Sequence, residues 1–293
     1  MTHGRSLGDK VFDVFNVAAV GAVMLVSLYP IYFTIVCSIS DGIRLMSHRG
    51  ILLAPLGLSF SSYRKIFENQ YIVSSYANTV FIIVVGTSIN LFLTSLGAFF
   101  LSRKNILFQK PIFLFFLFTM FFSGGMIPSF LNIRNLGLYD SLWALILPFS
   151  VNTYNLIIMR TSFMGIPESL EESARIDGAN DLHIFLKIII PLSAPIIAVL
   201  VLYYGAHHWN SWFPALLYIR NRSSLPLQMI LREILIFGTE TQATSTGDIT
   251  DMFSISETIR YTGIVIATAP ILCVYPFLQK YFTKGVMLGA IKG

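Results

Sequence analysis

Charge is what this chain has least of. Asp, Glu, Lys and Arg make up 12% of its 293 residues, against about 25% in a soluble domain. Hydrophobic residues make up 55% and the mean hydropathy is +0.70. A water-soluble fold is excluded, and the chain reads as a polytopic membrane protein whose one domain is a helical bundle. Cysteine is nearly absent too. Cys37 and Cys273 both fall in apolar runs, with no disulfide framework and no metal-ligand spacing. There is no Walker A motif, not even a Gly-Lys dipeptide. ATP-driven work would therefore need a partner that carries the ATPase. No nucleophile and base stand at a recognisable spacing, so catalysis is not expected. The net charge of +5 comes without interleaved basic and aromatic repeats. It suits lipid-facing loops rather than nucleic acid.

What is present is a series of long uncharged runs. They predict six spans, at about 14–39, 72–101, 111–131, 141–159, 192–219 and 261–279. Residues 1–13, with Leu7, Val11 and Phe15, read as an amphipathic lead-in, and 14–293 as one transmembrane domain. Pro30 is placed to kink the first span, and Ser123 to Pro128 to break the third. Residues 220–260 form a long polar connection. Leu227 to Phe237 reads there as a surface helix, and Thr239 to Thr250 as a flexible tip. An even number of spans puts both termini on one side. The short loop 102–110 holds Arg103, Lys104 and Lys110, whereas 129–140 holds only Arg134. The positive-inside rule then makes both termini, the loop 165–190 and the tail 280–293 cytoplasmic, and 220–260 external.

The most charged stretch is 165–195. Pro167 can open a helix whose first turn carries Glu168, Glu171 and Glu172, where the helix dipole favours negative charge. Leu170, Ala174 and Ile176 suggest a small apolar face. Gly178 stops this helix, and Asn180 or Asp181 caps a second one running to Pro191. A polar, patterned hairpin between two spans is expected to be a docking surface.

Here the chain resembles a known family. Glu172-Ser173-Ala174, Gly178 and Ile188-x-x-Pro191 are similar to the EAA loop of permease subunits of bacterial ABC importers. Ser173 stands where that loop has a second Ala, and Ile190 where it has Leu. The string Glu171 to Ala179 resembles the carbohydrate-uptake branch. Asn135 to Pro148, Asn155 to Arg160, Trp209-Asn210 and the tail Gly285 to Gly293 resemble the same permeases, the tail being similar to that of the maltose importer's second permease. The resemblance implies an all-α, six-span, MetI-like bundle in the bacterial inner (plasma) membrane. It also implies a heterodimer with a sister permease, two ATPase subunits that bind ATP and Mg, and an external solute-binding protein delivering a saccharide. It makes Glu171, Glu172, Ser173, Ala174, Asp177, Gly178 and Ala179 the ATPase-coupling residues. No cofactor, metal or catalytic residue is implied in this chain.

The predicted spans hold no Asp, Glu, Lys or Arg, which argues against an ion-coupled carrier. They do hold neutral polar groups. Thr87, Asn90 and Thr94 share one face, as do Asn152 and Asn155; both sets suit helix-to-helix hydrogen bonds. Tyr203, His207 and Asn210 form a stripe on span five that suits a sugar as well as it suits packing. An importer for another solute, an ion-coupled carrier and a membrane enzyme are the alternative functions.

Overall fold

A computed structural model describes residues 7–103, 106–237 and 249–290. Nearly all of these are helical, and the β structure among them is one isolated bridge, Ser40 to Leu58. The chain forms two compact units. One holds residues 1–69 and 233–269, the other 70–232 and 270–293.

In the first unit, α1 (Leu7–Ser38) runs unbroken for 32 residues, about 48 Å at 1.5 Å per residue. Pro30 lies inside it without ending it. The expected lead-in is therefore no separate element where it is described, because residues 7–13 are the first turns of this helix. Most of α1 is exposed and apolar; only its end is buried, where Val36 and Cys37 pack with Leu52. Asp41 caps α2 (Gly42–Ser47), accepting from the Ile43 and Arg44 amides at 3.1 and 3.0 Å. α3 (Ser61–Phe67) follows. The last helix, α14 (Ile249–Ala290), starts well before the expected span at 261. Residues 249–260, read as loop, are helical because Thr258 pairs with Ser62, and one turn on Phe33 meets Tyr261 edge to face at 5.9 Å. The expected tip at 239–250 lies outside the described residues up to 248, as do residues 291–293 of the tail.

The second unit is arranged around α4 (Ile72–Ser102). α5 (Gln109–Phe121) and α6 (Met126–Asn135) meet at 117°. The expected break is there, with Gly125 at φ +85°, a region that suits glycine. The fourth span is not one helix. Tight turns at Leu142–Leu145 and Leu147–Phe149 lead at 49° into α7 (Thr153–Met164), since Pro148 donates no backbone hydrogen bond. α8 (Glu168–Ile176), α9 (Asp181–Ile184) and a wide π-turn at Phe185–Ile189 follow. Then come α10 (Ile190–Leu192), α11 (Ala194–Trp209) and α12 (Trp212–Tyr218). Residues 181–192 and α11 meet at 81°, with Pro191 and Pro195 on either side of the elbow. Span five is also interrupted at Asn210 and Ser211.

Three helices are long and apolar enough to cross a membrane unaided: Gly8–Ser38, Ile72–Ser102 and Ile255–Val274. The three bent pairs bring the total to six by length and composition. The core of the second unit joins Ala98 and Leu101 of α4, Leu156, Met159 and Phe163 of α7, Ile184, Phe185 and Ile189 below the elbow, and Leu200 and Tyr204 of α11.

The helix expected on the surface, α13 (Leu227–Phe237), is half interior. Leu227, Ile230 and Leu231 are buried. The start of α4 holds it in place. Asn78 donates to the Ser223 and Leu225 carbonyls at 2.8 and 3.2 Å, and the Leu227 amide donates to Thr79 Oγ1 at 2.8 Å. Burying one apolar face in protein satisfies its amphipathic pattern as well as a water interface would.

Candidate coupling hairpin and translocation face

The hairpin forms as its residues dictate. Asp177, Gly178 and Ala179 amides return to the carbonyls of Ser173, Arg175 and Ala174 at 3.1, 3.0 and 2.9 Å, a glycine-terminated helix end. Gly178 has φ +84°, yet a Cβ built there meets nothing within 4 Å. The glycine is needed for its backbone conformation, not because a side chain would be crowded. Asn180 Oδ1 accepts from the His183 amide at 2.8 Å and caps α9. Arg175 and Asp181, both exposed, form an ion pair across the hairpin.

The seven residues expected to couple divide in two. Glu172, Ser173, Asp177 and Gly178 are exposed, while Ala174 and Ala179 pack on the core. Glu171 turns inward and is buried. The expected apolar face divides as well. Ile176 is 86% exposed and Leu170 44%, because positions i and i+6 do not share a helix face.

Glu171 pairs with Arg103, just past the end of α4; the two side chains keep 15% and 9% exposure. This contact escaped the sequence reading, which counted Arg103 only as a loop charge. The guanidinium also lies 4.7 Å over Phe99. Burial pulls its pKa below the ordinary value, Glu168 works against that, and Arg175 adds to it. Arginine remains charged regardless. A second guanidinium closes the same helix end. Arg160 Nε donates to the Leu101 carbonyl at 2.7 Å and stacks at 4.4 Å on Phe113. Gln109 Nε2 donates to the same carbonyl. Two cations beside the C-terminal end of α4 complement its dipole. A cleft of about 530 Å³ opens here, lined by Arg103, Glu168, Glu171, Glu172, Arg175 and Asp181.

On α11 the expected stripe exists as a face. Tyr203, His207 and Asn210 are all exposed, while Tyr204, His208 and Trp209 point into the core. His207 lies 5.2 Å from the Phe149 ring, and the Asn210 amide donates to the Ala206 carbonyl at 2.8 Å. The hydrogen bonds between helices are made by the opposite face. His208 Nε2 meets Asn90 Oδ1 at 2.7 Å. Asn90 Nδ2 donates to the Phe149 and Ser150 carbonyls at 2.6 and 2.9 Å. Because Oδ1 only accepts, the His208 proton sits on Nε2. Thr94 and Tyr204 share a hydrogen bond at 2.7 Å, and the Tyr204 oxygen accepts from the Asn152 amide at 3.2 Å. Asn90 and Thr94 thus act as interhelical bonds, whereas the Thr87 hydroxyl is buried without a partner. Asn152 serves as the cap of α7. His208 and Tyr204 were not singled out from sequence.

The likeness to known proteins spans the chain. Residues 82–288 match the family described as "Binding-protein-dependent transport system inner membrane component". The polygalacturonan/rhamnogalacturonan transport system permease protein YtcP of Bacillus subtilis (strain 168) is 43% identical over 289 residues, covering 97% of this chain and 99% of that one. Protein LplC of the same organism is 39% identical over 291 residues, covering 99% and 98%. A chain of a bacterial ABC transporter involved in the import of the acidic polysaccharide alginate has a TM-score of 0.84 at 35% identity, covering 96% of this chain and 100% of that one. With its broken apolar spans and charged hairpin, the chain belongs to the family of binding-protein-dependent transport system inner membrane components, the permease subunits of ABC importers.

Proposed function

We propose that the chain is the permease subunit of an importer that takes up a saccharide. An external solute-binding protein delivers the sugar, a sister permease completes the path, and two ATPase subunits bind ATP and Mg. The observation that carries this reading is the full-length 43% identity to a polygalacturonan/rhamnogalacturonan permease. The hairpin supplies the drive. Its exposed ridge, Glu172, Ser173, Asp177 and Gly178 with Leu170 and Ile176 beside it, meets an ATPase cleft. Its inner side, Glu171, Ala174 and Ala179, passes the motion to α4 and the core. Residues 165–190 and both termini then lie in the cytoplasm. The Tyr203, His207 and Asn210 face borders the sugar route.

Two variants test these roles. Gly178→Arg is expected to leave membrane insertion intact and to weaken ATPase association. An L-residue at that φ costs about 1–2 kcal/mol, and the new cation stands on the docking ridge. Undiminished co-purification of the ATPase would remove the hairpin from this role. Asn210→Leu is expected to lower uptake of oligogalacturonides several-fold while the complex assembles and hydrolyses ATP. Lost assembly with unchanged uptake per complex would make the face a packing surface. Cells lacking the gene should lose growth on such fragments; unaffected growth and uptake would sink the saccharide reading.

A further inference from the structure

We infer that Arg232, laid on the face of Trp212, is the element of this chain that binds a carboxylate of an acidic, uronate-containing oligosaccharide. This rests on the saccharide reading and assigns a residue to the sugar's charge. The guanidinium carbon of Arg232 lies 3.8 Å over the Trp212 ring. Trp212 opens α12, which runs only to Tyr218, about 10 Å. For Arg232 to reach Trp212, α13 has to double back along α12. The cation therefore sits one α12 length inside the turn at 219–226, level with the broken segment of span five. The predicted spans hold no Asp, Glu, Lys or Arg; the fold brings one arginine alongside the fifth of them.

A cation at that depth needs a counter-charge or water. Among the described residues no carboxylate or carbonyl pairs with it; its stacking on Trp212 is its one partner. Nor can it swing freely, because Leu227, Ile230 and Leu231 are buried and Thr79 holds the start of the helix. A held guanidinium with unused donors is suited to a planar carboxylate. Charged groups at membrane depth face water-filled paths rather than lipid. The indole beside it gives an apolar surface on which a sugar ring can stack. Asn210, exposed at the end of α11, stands two residues before this tryptophan.

The shared chemistry is an anionic oxygen, which a lipid phosphate also offers. The test uses the purified full transporter complex in proteoliposomes, with trigalacturonate and its methyl ester as probes. Wild type is expected to bind the acid at least tenfold more tightly than the ester, the loss of one charge-assisted pair. Arg232→Gln is expected to abolish that preference with the complex intact by size, and Arg232→Lys to restore part of it. Equal wild-type affinity for acid and ester, or a preference that survives Arg232→Gln, overturns the assignment and leaves the saccharide reading standing. Binding of neither probe by wild type overturns this assignment; the saccharide reading stands or falls on the uptake and growth tests above. If the variant's defect appears in phosphatidylglycerol vesicles and vanishes in phosphatidylcholine, Arg232 holds lipid and the assignment is wrong.

Discussion

Arg103→Ala is expected to destabilise the protein by about 3–5 kcal/mol, the loss seen when one member of a buried ion pair is removed. Glu171 keeps 9% of its side-chain exposure, so without Arg103 its carboxylate is left charged and nearly dry. The stacking of the guanidinium on Phe99 goes as well. Exposed pairs behave differently. Arg64 and Glu68, at 85% and 53% exposure, should contribute less than about 1 kcal/mol. The loss would be read as a lower unfolding midpoint in detergent and less assembled complex. The exchange Arg103→Glu with Glu171→Arg should recover much of it, because the pair is restored with its ends swapped. An Arg103→Ala protein that unfolds at the wild-type midpoint would show that the pair holds nothing in place.

Gly86→Val is the second large effect. A Cβ at Gly86 would lie 2.5 Å from His208 Nε2 and 2.8 Å from Cε1, and valine adds two methyl groups to that clash. The ring has nowhere to go, since its Nε2 is bonded to Asn90, which in turn holds the Phe149 and Ser150 carbonyls. Overpacking of this kind costs about 1–3 kcal/mol, and a freed buried Asn90 oxygen adds a similar amount. Loss of folded protein after extraction is the expected result. Gly86→Ala combined with His208→Ala should be more stable than Gly86→Ala alone, because the obstructing ring is gone. Gly205→Ala is the control, for its Cβ meets nothing within 4 Å. If Gly86→Ala proves as silent as Gly205→Ala, the close approach of α4 and α11 is not real.

The apolar runs and the punctuation between them were legible in the sequence. Gly178 announced a left-handed helix end, Asn180 a cap, and Ser123 to Pro128 a broken span, because each acts on its own few residues. Contacts across many residues were not legible. Arg103 and Glu171 stand 68 positions apart, and nothing local distinguishes Arg103 from Lys110. Asp140 is similar. Its carboxylate accepts from the Arg220 and Asn221 amides at 2.7 Å each, and those bonds hold its pKa below the usual range. From sequence it was only one charge in a short loop. Helical periodicity located the exposed face of α11 but could not say what the opposite face would meet. α13 was misjudged because an amphipathic pattern names an apolar side without naming its neighbour.

The broken spans have a mechanical consequence. α5 with α6, the turns before α7, and α10 with α11 are jointed, with elbows of 117°, 49° and 81°. A thrust along any of them is spent in flexing its joint. Among the described helices confined to the second unit, α4 alone is an uninterrupted strut, 31 residues long, or about 46 Å. Arg103 is its lower bearing, gripped by the hairpin, and Asn78 and Thr79 its upper one, gripping the foot of α13. In the coupling role proposed for the hairpin, a tug on Glu171 would travel the length of α4. It would arrive at the helix that carries Arg232.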